Sequence, residues 1–119
     1  MLTGTCHCGA IRITVPDIPA TITSCNCSIC RRIGALWAYY EVGTVIVEGH
    51  PERTDEYIQG DRTLRTVRCA TCGCVTHWEA LAPKAGSRHG VNILNFDPKI
   101  IEAVPIRRLD GADTWKFLD

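Results

Sequence analysis

The sequence predicts a mainly β fold, and three features of the chain indicate this class. Segments rich in β-branched and aromatic residues recur between glycine and proline residues. No segment keeps a 3.6-residue apolar period for three helical turns, so only one or two short helical turns are expected. The eight cysteines gather in three short clusters, a pattern that is typical of metal binding.

The first three predicted strands lie in the N-terminal half of the chain. Residues 10–15 alternate apolar with polar side chains, and this pattern stops at Pro16. Residues 35–42 and 44–49 are rich in aromatic and β-branched side chains, and Gly43 marks a turn between them.

The second half of the chain supplies the remaining strands, which are predicted at residues 55–60, 63–68, 74–81 and 89–96. Gly60-Asp61 is the expected tip of a hairpin between the first two of these strands. Short helical segments are predicted at residues 27–32 and 97–103. The second of them begins with Asp97 and Pro98, which suit the N-cap and the first helical position.

The length and charge of the chain restrict its organisation and its partners. With 119 residues it is expected to form one domain, residues 1–119, around one modest core. The 13 basic and 13 acidic residues give a formal charge of zero, which argues against nucleic acid and anionic membranes as partners. The N-terminus resembles no secretory signal, and no segment approaches the roughly 20 apolar residues of a membrane helix. We therefore expect a cytoplasmic protein whose cysteines serve metal or thiol chemistry rather than disulfide bonds.

Two cysteine pairs far apart in the chain are predicted to share one structural zinc ion. Cys6 and Cys8 are two residues apart, so in an extended strand they point to the same face, and Cys69 and Cys72 have the CxxC spacing. A glycine follows each pair and allows a turn with positive φ that aims backbone N–H groups at the sulfur atoms. Ordinary core cysteines or a redox CxxC motif are the alternatives, although a redox motif normally opens a helix.

The third cluster, Cys25, Cys27 and Cys30, predicts a zinc site with an open position. Three thiolates occupy three corners of a tetrahedral ion, and an open fourth corner distinguishes catalytic zinc from structural zinc. We expect this second ion to be the more labile one, because its short loop can open locally. Arg31 and Arg32 follow directly and are candidates for binding a substrate carboxylate, although a solvated surface position is the alternative for each.

Three other interpretations of this cluster stay open. It can be a partial metal site without a resident ion, two of its thiols can form a regulatory disulfide, or Cys74 can complete a second closed four-thiolate site. We expect Cys74 to be a small buried core residue instead. His7 and His77 are expected to be packing or surface residues rather than ligands.

The cysteine motifs taken together resemble the family of glutathione-dependent formaldehyde-activating enzymes and centromere protein V. The resemblance rests on CHCGAI, CNCSICRR, CATCGC and VNILNFDP, in this order. It implies a β-tent, a fold of small antiparallel sheets pinned by a four-cysteine zinc. It also implies that the CxCG and CxxCG cysteines, Cys6, Cys8, Cys69 and Cys72, hold the structural zinc. The CxCxxC cysteines, Cys25, Cys27 and Cys30, would hold the catalytic zinc.

The resemblance implies an activity as well. Members of the family join glutathione to formaldehyde and are classed as carbon–sulfur lyases, so a thiol and a small aldehyde are the expected substrates. A zinc-stabilised protein-binding module is the alternative, because a distant relative with the same fold serves as an accessory factor for small GTPases. Nucleic-acid association, which the name of the centromere relative suggests, fits poorly with the neutral charge. The oligomeric state stays open.

Overall fold

The computed structural model describes all 119 residues and confirms the mainly β class. In chain order the strands are β1 (Leu2–Thr5), β2 (Arg12–Val15), β3 (Ile22–Cys25), β4 (Trp37–Glu41), β5 (Ile46–Glu48), β6 (Thr54–Ile58), β7 (Leu64–Cys69), β8 (Val75–Ala80), β9 (Arg88–Asn92) and β10 (Ile106–Leu109). The helical segments are α1 (Cys30–Ile33), a 3₁₀ turn (Ile93–Asn95) and α2 (Pro98–Ala103). No helix is long and apolar enough to cross a membrane.

The smaller sheet has three antiparallel strands in the order β1-β2-β5. The alternation predicted for residues 10–15 is present, because Ile11, Ile13 and Val15 are fully buried whereas Arg12 is exposed. The strand itself is shorter than predicted and begins at Arg12. This sheet therefore contributes one apolar face to the core.

The larger sheet has seven strands in the order β10-β3-β4-β9-β8-β7-β6. Every neighbouring pair is antiparallel except β10 and β3, which run parallel with Ile106 opposite Ile22 and Leu109 opposite Cys25. The sheets are otherwise antiparallel, as the family resemblance implies, and this edge pair is the exception. A parallel pair needs a long connection, and here residues 26–105 lie between the two strands.

Three strands are missing from the sequence-based prediction, and one ends early. β1, β3 and β10 have only four residues each, too few for a recognisable apolar period. β9 ends at Asn92 instead of continuing to residue 96. The side chain of Asn92 accepts a hydrogen bond from the N–H of Leu94, which caps the 3₁₀ turn and stops the strand.

The predicted start of the second helix is confirmed. The Asp97 side chain accepts a hydrogen bond of 3.0 Å from the N–H of Lys99, and Pro98 occupies the first helical position. The helix places Val104 against the main core.

The main core takes residues from both sheets and from the segment that follows β9. Its buried members are Cys6, Ile11, Ile13, Val15, Ile22, Ala38, Tyr40, Cys69, Val91, Ile93, Phe96 and Val104. Two of them are cysteines of the predicted structural zinc site. The ligand set and the apolar core are therefore one continuous region of the fold.

Gly90 in β9 pairs with Trp78 in β8, and the indole ring of Trp78 lies directly against Gly90. A Cβ atom at residue 90 would overlap with Nε1 and Cε2 of that ring. We expect Gly90→Ala to lower the free energy of unfolding by about 1–3 kcal/mol, because an overpacked site has to shift its neighbours. Urea unfolding measures this effect. The same substitution in a Trp78→Leu background should cost much less, and an equal cost in both backgrounds would refute the packing explanation.

Candidate metal centres

The first candidate centre consists of the thiols of Cys6, Cys8, Cys69 and Cys72, which all lie within 4.8 Å of one another. The Sγ atoms of Cys6 and Cys8 are 3.7 Å apart, and those of Cys8 and Cys69 are 3.6 Å apart. Four sulfur atoms at about 2.3 Å from a tetrahedral zinc ion would be about 3.8 Å apart. The donor set therefore fits zinc in both chemistry and spacing. It joins residues 61 positions apart in the chain.

Backbone N–H groups point at the sulfur atoms of this centre. The N–H of Ile11 donates to Cys6 Sγ at 3.3 Å, and that of Thr71 donates to Cys69 Sγ at 3.4 Å. Such bonds stabilise the negative charge that thiolates carry. The centre thus includes hydrogen-bond donors to the sulfur atoms as well as the four thiols themselves.

The turns after each pair have the backbone conformation that the sequence predicts. Gly9 and Gly73 have φ values of 82° and 77°. The N–H of Cys74, just after the second turn, and the N–H of Cys8, in the first turn, lower the pKa of the Cys72 thiol to about 5. This group is therefore ionised at neutral pH and ready to bind a cation.

The second candidate centre consists of the thiols of Cys25, Cys27 and Cys30, which also lie within 4.8 Å of one another. Cys25 ends β3, Cys27 lies in the following turn, and Cys30 begins α1. The N–H of Cys27 donates to Cys25 Sγ at 3.5 Å, and the N–H of Cys30 donates to Cys27 Sγ at 3.4 Å. The indole Nε1 of the buried Trp37 donates to Cys30 Sγ at 3.2 Å. Three soft donors held in this way fit a zinc ion with one position left for another ligand.

The three thiols differ in acidity. Burial raises the pKa values of Cys25 and Cys30. Burial also opposes ionisation of Cys27, but the N–H of Cys30 and the neighbouring thiols outweigh it and lower the pKa of Cys27. Cys27 is therefore the first of the three to become a thiolate.

An apolar cavity of about 460 Å³ opens beside these thiols. Besides the three cysteines it is lined by Ile29, Ile33, Trp37, Tyr39, Gln59, Leu64, Thr66, Trp78, Arg88, Leu109, Trp115 and Phe117. A more polar groove of about 950 Å³ adjoins it and shares five lining residues with it: Cys27, Ile29, Gln59, Leu64 and Trp115. Cys27 thus borders a largely apolar space and a polar one.

Both arginines of the sequence prediction line the polar groove, at its edge near the second centre. Arg31 and Arg32 are exposed residues of α1. Arg32 Nη1 donates to the carbonyl oxygen of Ser28 at 2.6 Å, whereas Arg31 makes no side-chain hydrogen bond or ion pair within the chain. Arg31 is consequently the freer of the two to bind a ligand.

The C-terminal segment packs against the second centre, which the sequence analysis did not predict. A Cβ atom at Gly111 would lie 2.6 Å from Cys25 Sγ and 3.0 Å from Cys27 Cβ. The side chain of Asn26 fixes this contact: its Nδ2 donates to Asp110 Oδ1 at 3.1 Å, and its Oδ1 accepts from the N–H of Ala112 at 2.9 Å. The Asn between two cysteines was the only sequence feature that could have indicated such an anchor.

Cys74 belongs to neither group of converging thiols and packs, partly buried, against the main core. The structure thus excludes it as the fourth ligand of the second centre and agrees with the predicted core role. His7 is exposed as expected, and His77 is fully buried.

Comparison with known proteins places both sets of cysteines within a matched region. The family model described as "Glutathione-dependent formaldehyde-activating enzyme" matches residues 1–103, which include both sets. The chain belongs to this family. A solved structure of a Rhodobacter sphaeroides protein is similar to it, with 34% identity and a TM-score of 0.72 over 88% of this chain and 99% of that one. No curated protein matches the chain.

Cys69 and Cys74 offer a matched test of the first centre, because they lie five positions apart but only Cys69 belongs to the ligand group. We expect Cys69→Ser to lose a zinc equivalent and to unfold at a much lower temperature, since structural zinc contributes ~10 kcal/mol or more to folding. Cys74→Ser should keep all its zinc and cost about 1 kcal/mol. Metal analysis and thermal unfolding measure both effects. Native melting and full zinc content in Cys69→Ser would contradict the assignment.

Proposed function

We propose that the chain is a zinc-dependent enzyme of the carbon–sulfur lyase type. It adds a thiol, with glutathione as the first candidate, to a small aldehyde such as formaldehyde, or catalyses the reverse reaction. The observation that carries this proposal is the second centre, in which three thiols converge beside a cavity of about 460 Å³. Membership of the family supports the same chemistry.

The two centres have different roles in this proposal. Cys6, Cys8, Cys69 and Cys72 hold a structural zinc that is closed to other ligands. The second group, Cys25, Cys27 and Cys30, would hold the catalytic zinc; because these thiols supply only three ligands and border the cavity, a substrate there would supply the fourth. Zinc bound there supplies positive charge that favours the thiolate form of a substrate at neutral pH.

The residues around the second centre position the ligands and exclude water. Trp37 holds Cys30 through its indole N–H, so the sulfur atom keeps its direction. The apolar walls of the cavity remove water from the reacting atoms and strengthen the electrostatic interactions near them. A small aldehyde fits such a space without needing a dedicated polar site.

The adjoining groove supports glutathione as the thiol. Glutathione carries two carboxylates, and Arg31 and Arg32 line the groove that continues from Cys27. Guanidinium groups bind carboxylates through paired hydrogen bonds. The volumes of the cavity and the groove lie in the range of about 300–1,000 Å³ that is typical of small-molecule sites.

The reaction balances without an oxidant or a reductant. The sulfur atom forms a bond to the carbonyl carbon, the π electrons of the carbonyl move to its oxygen, and the proton of the thiol ends on that oxygen. The reverse reaction breaks the carbon–sulfur bond and returns the proton to sulfur. We place this chemistry in the cytoplasm, and the eight free thiols of the chain support a reducing compartment.

A zinc-stabilised protein-binding module without catalysis is the second candidate. Exposed apolar side chains near the C-terminus favour it, because such patches often mark interaction sites: Ile106, Trp115, Phe117 and Leu118. The equal numbers of acidic and basic residues give no reason to propose nucleic acid or a membrane as a partner. Removal of the second zinc separates the two candidates.

Cys27→Ser should abolish the thiol–aldehyde reaction while the fold survives. The variant loses one of only three protein ligands of the second zinc, but it leaves the four cysteines of the first centre untouched. We expect loss of one zinc equivalent, loss of activity and a melting temperature close to that of the wild type. Ser28→Ala, which changes an exposed neighbour in the same loop, is the matched control. Unfolding of Cys27→Ser would favour the binding module, and full activity without the second zinc would refute the zinc-dependent mechanism.

Arg31→Ala tests glutathione as the substrate. If Arg31 binds a carboxylate of glutathione, its loss should raise KM for glutathione about tenfold, since a hydrogen bond to a charged group contributes about 1.5 kcal/mol. The KM for 2-mercaptoethanol, a thiol without carboxylates, should not change. Steady-state kinetics with both thiols measure the difference. An equal effect on the two substrates would show that Arg31 acts on the fold rather than on glutathione.

A further inference from the structure

A third group of metal-ligating side chains lies away from both cysteine centres. It consists of His50, His77, Glu79 and His89. His77 and Glu79 flank Trp78 in β8, and Trp78 lines the cavity of the second centre. Because neighbouring side chains of a strand point to opposite faces, the histidine group lies on the other face of the larger sheet.

The ring nitrogens of the three histidines converge on one carboxylate. Glu79 Oε1 lies 2.7 Å from Nε2 of His50 and 3.6 Å from Nε2 of His77. Glu79 Oε2 lies 3.7 Å from Nε2 of His89. The donor atoms of His50, His77 and Glu79 are all within 4.8 Å of one another, and together with His89 they form a set of three nitrogen ligands and one carboxylate.

The hydrogen bonds of His77 involve only one of its ring nitrogens. The hydroxyl of Thr76 donates to the carbonyl oxygen of Val67 at 3.2 Å. The same oxygen lies 2.9 Å from Nδ1 of His77 and accepts from it when this nitrogen carries the proton. In that tautomer the lone pair of Nε2 is free and lies 3.6 Å from Glu79 Oε1. This Nε2 atom is buried and has no hydrogen-bond partner.

His50 is arranged differently, because its Nε2 lies 2.7 Å from Glu79 Oε1. A carboxylate oxygen only accepts, so Nε2 donates to it, and Nδ1 accepts from the hydroxyl of Thr54 at 2.7 Å. An ion that replaced the proton of Nε2 would leave Nδ1 to donate to Thr54 instead. Metal-binding histidines typically have one ring nitrogen held by an outer hydrogen bond in this way, while the other nitrogen binds the ion.

The buried Nε2 of His77 thus has no partner, although it lies beside a carboxylate and a second imidazole, and a bound cation would satisfy it. We propose that His50, His77 and Glu79, with His89 as a fourth donor, bind a divalent first-row transition metal ion such as Zn²⁺. Imidazole nitrogens with one carboxylate are a common donor set for these ions. The site contains no cysteine and is independent of the proposed enzyme activity.

The surroundings of the site allow an ion to enter and to stay. The side chains of His50, His89 and Glu79 are 17%, 15% and 20% exposed, so solvent reaches the donors. One further positive charge is near, since Arg65 Nε lies 3.8 Å from Glu79 Oε1. Arg65 is itself paired with Glu56 at 2.9 Å, and this carboxylate compensates its charge.

Titration calorimetry of the zinc-loaded protein with further Zn²⁺ tests the proposal. We expect one additional equivalent in the wild type and in Cys27→Ser, and its loss in His50→Gln and Glu79→Gln. Glu52→Gln is the matched control, because it removes an exposed carboxylate two positions from His50 that is not a ligand. Thr54→Val should keep the equivalent but weaken its affinity about 10- to 100-fold, as the loss of an outer hydrogen bond does.

Absorption spectroscopy with cobalt gives a second measurement that does not depend on the heat of binding. Co²⁺ added to the zinc-loaded protein should bind at this site without the thiolate-to-metal charge-transfer band that the cysteine centres produce. His50 lies in a loop and is partly exposed, so His50→Gln decides the matter even if Glu79→Gln fails to fold. The proposal would be overturned if the wild type bound no additional metal equivalent, or if His50→Gln bound it unchanged. Protons would then be the only cations shared between the histidines and Glu79.

Discussion

The convergence of four thiols from distant parts of the chain is the constraint on which the rest of the structure depends. Cys6 follows a strand of the smaller sheet, whereas Cys69 ends a strand of the larger one. Both are buried in the main core, so the two sheets meet where these sulfur atoms meet. Four thiolates this close repel one another unless a cation neutralises them. Ion binding and core formation are consequently one cooperative event in the proposed zinc protein.

The two faces of the larger sheet carry different groups of side chains, because successive side chains of β8 point to opposite faces. Trp78 points towards the cavity beside the second centre, while His77 and Glu79 on either side of it point to the opposite face. Gly90 on the neighbouring strand leaves room for the indole ring. A shift of this strand by one residue would exchange the two faces and separate the side chains of both proposed sites. Both proposals therefore depend on the register of β8.

The sequence predicts what depends on local spacing and misses what depends on long-range pairing. The CxCG and CxxCG motifs, the strand alternation near Ile13 and the cap at Asp97 are local, and the structure contains all of them. β3 and β10 were missed because each has four residues and is defined by its partner. The histidine group was missed for the same reason. His50 and Glu79 are far apart in the chain, and only the folding of the larger sheet brings them together.

The wall of the cavity shows why family membership alone does not define a substrate. The family model matches residues 1–103, which contain every cysteine of both centres. Gly111, Trp115 and Phe117 lie beyond that region, yet they pack against Cys25 or line the cavity. Asn26, placed between two of the cysteines, fastens this segment through Asp110 and Ala112. The proposed catalytic centre therefore lies within the region that the family model matches, whereas part of the cavity wall beside it lies beyond that region.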